Sequence, residues 1–124
     1  MAYLKRISLT LICFILFSGL VLAGGKSEKY YQLLWCEKIG GKPEVVLSDK
    51  TRCDCLTSEY AIENDFGKKW AESVGQALYY GAITGKKPGI ALIVRLPKDQ
   101  KYIDRINLII EKYKLPIKIW VIEK

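Results

Sequence analysis

From Gly89 to Leu96 the chain reads Gly-Ile-Ala-Leu-Ile-Val-Arg-Leu, apolar at odd and even positions alike until Arg95. A strand with one wet face would alternate, so this segment predicts a central strand covered on both sides. Such a strand demands helices, and the sequence supplies them. Gly67 to Ile83 has helical periodicity with Trp70, Val74, Ala77, Leu78 and Gly81 as its packing stripe, and it ends in the loop Thr84-Gly85-Lys86-Lys87-Pro88. Pro97-Lys98-Asp99 opens a second amphipathic helix whose stripe is Tyr102, Ile103, Ile106, Ile109, Ile110 and Tyr113. Pro116 to Ile122 reads as a closing strand.

Upstream, Ser27 to Ile39 suits a short helix capped by Ser27, carrying Tyr30, Leu33, Leu34, Trp35 and Cys36, and stopped by Gly40-Gly41. Glu44 to Leu47 reads as a strand, Ser48-Asp49-Lys50 as a tight turn, and Thr51 to Thr57 as the hairpin partner. Ser58-Glu59 breaks the pattern before a third strand, Tyr60 to Phe66. The order α-β-β-β-α-β-α-β combines an antiparallel hairpin edge with right-handed β-α-β crossovers. It predicts an α/β fold: a three-layer sandwich around a mixed five-stranded sheet.

Residues 1–23 carry a basic head, Lys5-Arg6, an uncharged apolar run from Ile7 to Ala23, and the small-residue ending Val21-Leu22-Ala23-Gly24. This is the pattern of a cleaved signal peptide, leaving 24–124 as one domain, secreted or periplasmic, with no stable membrane association after cleavage. A retained anchor is the competing reading, since the run approaches the length that spans a bilayer. With 20 Lys and Arg against 13 Asp and Glu, the net charge is +7. A basic balance suits nucleic acid or anionic envelope surfaces, and equally a lysine-rich solvated surface.

Cys36, Cys53 and Cys55 lie beyond the leader. In an oxidising compartment one bridge is expected, from Cys36 to Cys53 or Cys55, with one thiol left over. Strand periodicity puts Cys53 and Cys55 on one side and leaves the choice open. Histidine is absent from the chain, which removes Ser-His-Asp and Cys-His nucleophiles and histidine bases. Chemistry here falls to acids, lysines, tyrosines or a metal.

Asp54 lies within Cys53-Asp54-Cys55-Leu56, and Glu63 and Asp65 lie within Ala61-Ile62-Glu63-Asn64-Asp65-Phe66. Carboxylates on strands that otherwise read as interior need a cation or hydrogen bonds. Glu63 and Asp65, two apart, share a side, where one ion could bridge them to Asp54; oxygen ligands favour Mg2+ or Mn2+. At about 100° per residue, Lys69, Ser73, Gln76 and Tyr80 form one helix stripe and Lys68 lies off it, so Lys69 is the candidate catalytic lysine.

An Asp in one strand, an acid pair in the next and a helix bearing Gln76-Ala77-Leu78-Tyr79-Tyr80 resemble the PD-(D/E)XK, or restriction-endonuclease-like, nuclease superfamily. The chain is also similar to small exported bacterial proteins through Trp35-Cys36, Asp54 to Thr57, and Lys69 to Tyr80. The superfamily resemblance implies metal-dependent hydrolysis of DNA or RNA phosphodiesters. It implies Asp54 as the first metal ligand, Glu63 as the acid of the (D/E)-x-K element, and Gln76 and Tyr80 supporting the site or touching the substrate backbone. Where the pattern places lysine, two residues after Glu63, this chain has Asp65. A displaced lysine makes a non-catalytic periplasmic binding module on the same fold the alternative. Structural roles compete residue by residue: Asp65 as a helix cap, Asp54 paired with Arg52, and Glu63 paired with Lys68 or Lys69. Trp35, Trp70 and Trp120 read as core.

Overall fold

The computed structural model describes residues 24–124, so the expected signal peptide at 1–23 lies outside the described residues. The elements are α1 (Glu28–Lys38), β1 (Lys42–Val46), β2 (Arg52–Leu56), β3 (Tyr60–Phe66), α2 (Trp70–Thr84), β4 (Lys87–Val94), α3 (Gln100–Tyr113) and β5 (Lys118–Glu123). A three-residue 3-10 turn, Gly67–Lys69, leads into α2. The strands lie side by side in chain order. β1, β2 and β3 pair antiparallel, and β3, β4 and β5 pair parallel. The expected mixed α/β sandwich is therefore the architecture of the protein.

Local chemistry sets most element ends. Ser27 Oγ accepts the Tyr30 N–H at 3.2 Å, satisfying one of the donors that a helix start leaves free. Gly40, at φ 73°, turns the chain out of α1 in a conformation that costs glycine least. In the β1–β2 turn, Lys50 N–H reaches Leu47 O at 3.0 Å. Asp49 accepts there from both the amide and the hydroxyl of Thr51.

Parallel crossovers put α2 and α3 on one face of the sheet and α1 on the other. Ile90, Leu92 and Val94 pack with Ala77, Ile103, Ile106 and Ile117 on the two-helix side. Ala91 faces the opposite way, with Ile62, Cys36 and Cys55, against Trp35, Tyr60 and Trp120. β4 is thus the doubly covered strand its composition predicts. Each fully buried Ile, Leu or Val contributes about 1.5–3 kcal/mol by leaving water. Gly89 belongs to this packing, since a Cβ there would stand 2.5 Å from Trp120 Cζ3. Trp35 and Trp120 meet edge to face at 5.5 Å, as core aromatics.

Two sequence expectations change. α1 buries Gln32 and Cys36, packs Trp35 beside them and leaves Leu33 and Leu34 outside, so its sheet-facing stripe mixes a polar residue with apolar ones. Cys53 and Cys55, two residues apart, enter different clusters: Cys55 joins Cys36 on the α1 side, and Cys53 packs with Ala61 and Tyr80 on the α2 side. The bridge is Cys36–Cys55, and Cys53 is a buried free thiol.

Candidate active site

Cys53 and Cys55 separate because the strand is irregular at Asp54. The β2–β3 ladder pairs Leu56 with Ala61 and Cys55 with Ile62. At the next position the Asp54 carboxylate, not a backbone carbonyl, accepts the Asn64 N–H, at 2.8 Å. Across the hairpin, Glu44 has φ 55°, a left-handed backbone that non-glycine residues seldom adopt. Gln32 of α1 fixes the irregularity from above, donating to Asp54 O at 2.9 Å and to Glu44 Oε1 at 3.0 Å. Arg52 pairs with Glu44 at 3.2 Å rather than with Asp54.

Glu63 and Asp65 project to the α2 side of β3, each only 4 % exposed. Asp65 Oδ2 lies 2.7 Å from Ser73 Oγ of α2, which also stands 3.0 Å from the Lys69 carbonyl. Asp65 therefore does not cap the following helix, whose start has no side-chain cap. Glu63 lies between Asp54 and Asp65 in sequence and space, near enough for both to act on its carboxyl. The three acids thus converge.

Convergence of buried like charges must be relieved, and the relief shows in their protonation. Burial first, then the Asp54 and Asp65 charges, push the Glu63 carboxyl up to about 11. Burial pushes Asp54 to about 6 against the opposing Asn64 hydrogen bond, and raises Asp65 against that of Ser73. As a carboxylate, Glu63 would leave Oε2 buried with no donor. As a carboxylic acid it has a proton to give to Asp54 or Asp65, so Glu63 is the member that holds a proton at neutral pH and shares it with the cluster.

Tyr80 lies against this group, its hydroxyl pushed up to about 12 by burial and by Glu63 and Asp54. The Cys53 thiol is raised to about 11 mainly by burial. Lys69 is close enough to Asp65 to favour its charged form, yet its ion pair is with Glu28 Oε2, at 3.2 Å. Neither Lys68 nor Lys69 pairs with Glu63. Gln76 is exposed, so the predicted Lys69-Ser73-Gln76-Tyr80 stripe divides: Ser73 and Tyr80 face the sheet and Gln76 faces solvent.

The structure thus brings together Asp54, Glu63, Asp65 and Tyr80, sets Lys69 at the margin, and leaves Gln76 outside. Sequence reasoning missed Glu28, Gln32 and Glu44 and gave Ser73 no role. The spacing Glu28-Gln32-Cys36, one residue per turn on one helix face, was the available signal.

Oxygen donors and an orphaned buried Oε2 suit a hard divalent ion in chemical type. Among the described residues, however, no set of three or more His, Cys, Asp or Glu side chains is arranged to hold a metal ion. Binding one would replace the cluster's proton and re-aim its carboxylates. Among the described residues no helix is long and apolar enough to cross a membrane. No protein family, curated protein or solved structure matches the chain.

Proposed function

We propose that this protein is an exported, metal-dependent phosphodiesterase of nuclease-like architecture acting on DNA or RNA. The observation that carries the reading is the meeting of Asp54, Glu63 and Asp65 on adjoining strands, with one buried Glu63 oxygen unpartnered. Asp54, Glu63 and Asp65 would hold Mg2+ or Mn2+. Such an ion, when bound, would supply Lewis-acid polarisation of a phosphoryl oxygen and a more acidic water. Around it the chain's own groups have separable tasks. Ser73 orients Asp65, the Asn64 amide orients Asp54, and Tyr80 closes the cluster against water. Lys69, released from Glu28, is the cation available to developing phosphate charge. Export agrees with the N-terminal pattern and with the Cys36–Cys55 bridge.

Residues 24–124 incubated with plasmid or single-stranded DNA should cleave it with Mg2+ or Mn2+ and not with EDTA. Asp54→Asn and Glu63→Gln should abolish cleavage, and undiminished activity in both variants refutes the reading. A second reading, a non-catalytic binding module, draws on Asp65 standing where the superfamily pattern has lysine and on Lys69 being paired with Glu28. Calorimetry separates the two: a module without catalysis takes up no divalent ion at the acids.

A further inference from the structure

A cavity of about 330 Å3 opens beyond the carboxyl ends of β3 and β4, and the acid cluster has no part in its lining. Four cations converge on it from separate segments: Lys68 from the 3-10 turn, Arg95 and Lys98 from the loop after β4, and Lys124 following β5. Asp99 is the one acid in the lining, and its Oδ2 accepts the Arg95 backbone N–H at 2.8 Å, which folds the loop.

None of Lys68, Arg95 and Lys98 has a carboxylate within ion-pair distance among the described residues. Lys124 Nζ rests 4.4 Å from the centroid of the Phe66 ring. Four cations against the one carboxylate side chain of Asp99 leave the cavity net positive, an arrangement that an anion would complement. The close approach of the 3-10 turn to α3 depends on Gly67, where a Cβ would stand 2.9 Å from Tyr102 Cδ2. Tyr102 in turn forms part of the cavity wall.

We propose that this cavity is a binding site for a phosphate-bearing small molecule of mononucleotide size. A phosphoryl group accepts several charge-assisted hydrogen bonds from different directions, which suits donors arriving on three segments and the planar fork of Arg95. The volume exceeds what a lone anion fills, and the Phe66 and Tyr102 rings offer the remainder of the ligand an apolar surface. The site is independent of hydrolysis at the acids, because none of its residues belongs to that cluster.

Titration calorimetry on the mature chain in EDTA and low salt, with AMP, inorganic phosphate and adenosine as probes, tests this. AMP should bind, phosphate should bind more weakly and compete with it, and adenosine should not bind measurably. Arg95→Gln and Lys98→Gln should each weaken AMP by about tenfold, the worth of one charge-assisted hydrogen bond. Lys38→Gln combined with Lys112→Gln, two cations outside the cavity, should leave AMP affinity unchanged. Absence of AMP binding, adenosine binding as well as AMP, or an equal loss in the Lys38/Lys112 control overturns the proposal. Arg95 and Lys98 are exposed, so the variants should fold, and near-ultraviolet circular dichroism matching wild type establishes it. EDTA keeps the result separate from the nuclease assay, so either site can fail alone.

Discussion

Replacing Glu63 with glutamine should blunt this protein's loss of stability in alkali. In the folded chain Glu63 is 4 % exposed and its carboxyl is pushed up to about 11, whereas in the unfolded chain it titrates near 4.5. A raised carboxyl means the native state holds a proton that the unfolded state has released. Stability therefore falls as pH rises above about 4.5, with a slope of about 1.4 kcal/mol per pH unit for this one group. The decline would end only at the folded pKa, and by pH 7 it reaches about 3 kcal/mol. Asp54, raised to about 6, acts in the same direction between its unfolded value of 3.8 and pH 6. Glu63→Gln keeps the shape and supplies an N–H donor to Asp54 or Asp65 without a titrating proton. Urea unfolding in EDTA from pH 5 to 8 should show wild type losing stability with pH. The Gln variant should show a flatter profile and be more stable than wild type at pH 8. Saturating Mg2+ should flatten the wild-type profile too, because a cation then replaces the proton. A wild-type profile in EDTA that is flat or rises over this range refutes the shared-proton cluster.

Three further predictions rest on separate contacts. Cys36→Ser, which opens the bridge across a sequence separation of 19, should cost about 3 kcal/mol in urea unfolding, while Cys53 in the folded protein should resist iodoacetamide at pH 8. Ser73→Ala should cost about 1–3 kcal/mol at pH 7 and raise the Asp65 pKa further, because Asp65 loses the hydroxyl 2.7 Å away; NMR titration of the side-chain carboxyl carbons would follow it. Asn64 is fully buried with no partner for either side-chain amide atom, so Asn64→Leu should stabilise the protein by about 1–3 kcal/mol, and a lower urea midpoint would contradict this.

The order of elements was legible because helical and strand periodicity are local properties. Tyr60–Phe66 has the bounds that its residues predict, and the doubly apolar β4 announced helices on both sides of the sheet. Boundaries moved where sterics rather than hydrophobicity rule: the 3-10 turn Gly67–Lys69 delays α2 to Trp70, and β1 begins two residues early, at Lys42. Gln76 was misplaced because a stripe drawn on an isolated helix cannot say which part of its arc the sheet will cover.

By itself, the sequence determined which side chains could do chemistry, that none is histidine, and that three carboxylates would be carried on strands. It also determined the α-β-β-β-α-β-α-β order, since each segment's pattern reflects its own few turns of backbone. Only the tertiary structure decided that Cys55 rather than Cys53 meets Cys36, that Glu28 claims Lys69, and that Asp54 stands in for a ladder carbonyl. It alone also gathers Lys68, Arg95, Lys98 and Lys124 around one cavity. These outcomes depend on how α1 docks and how the strands twist, and they join residues from 10 to 41 or more positions apart whose separation along the chain leaves no periodic trace.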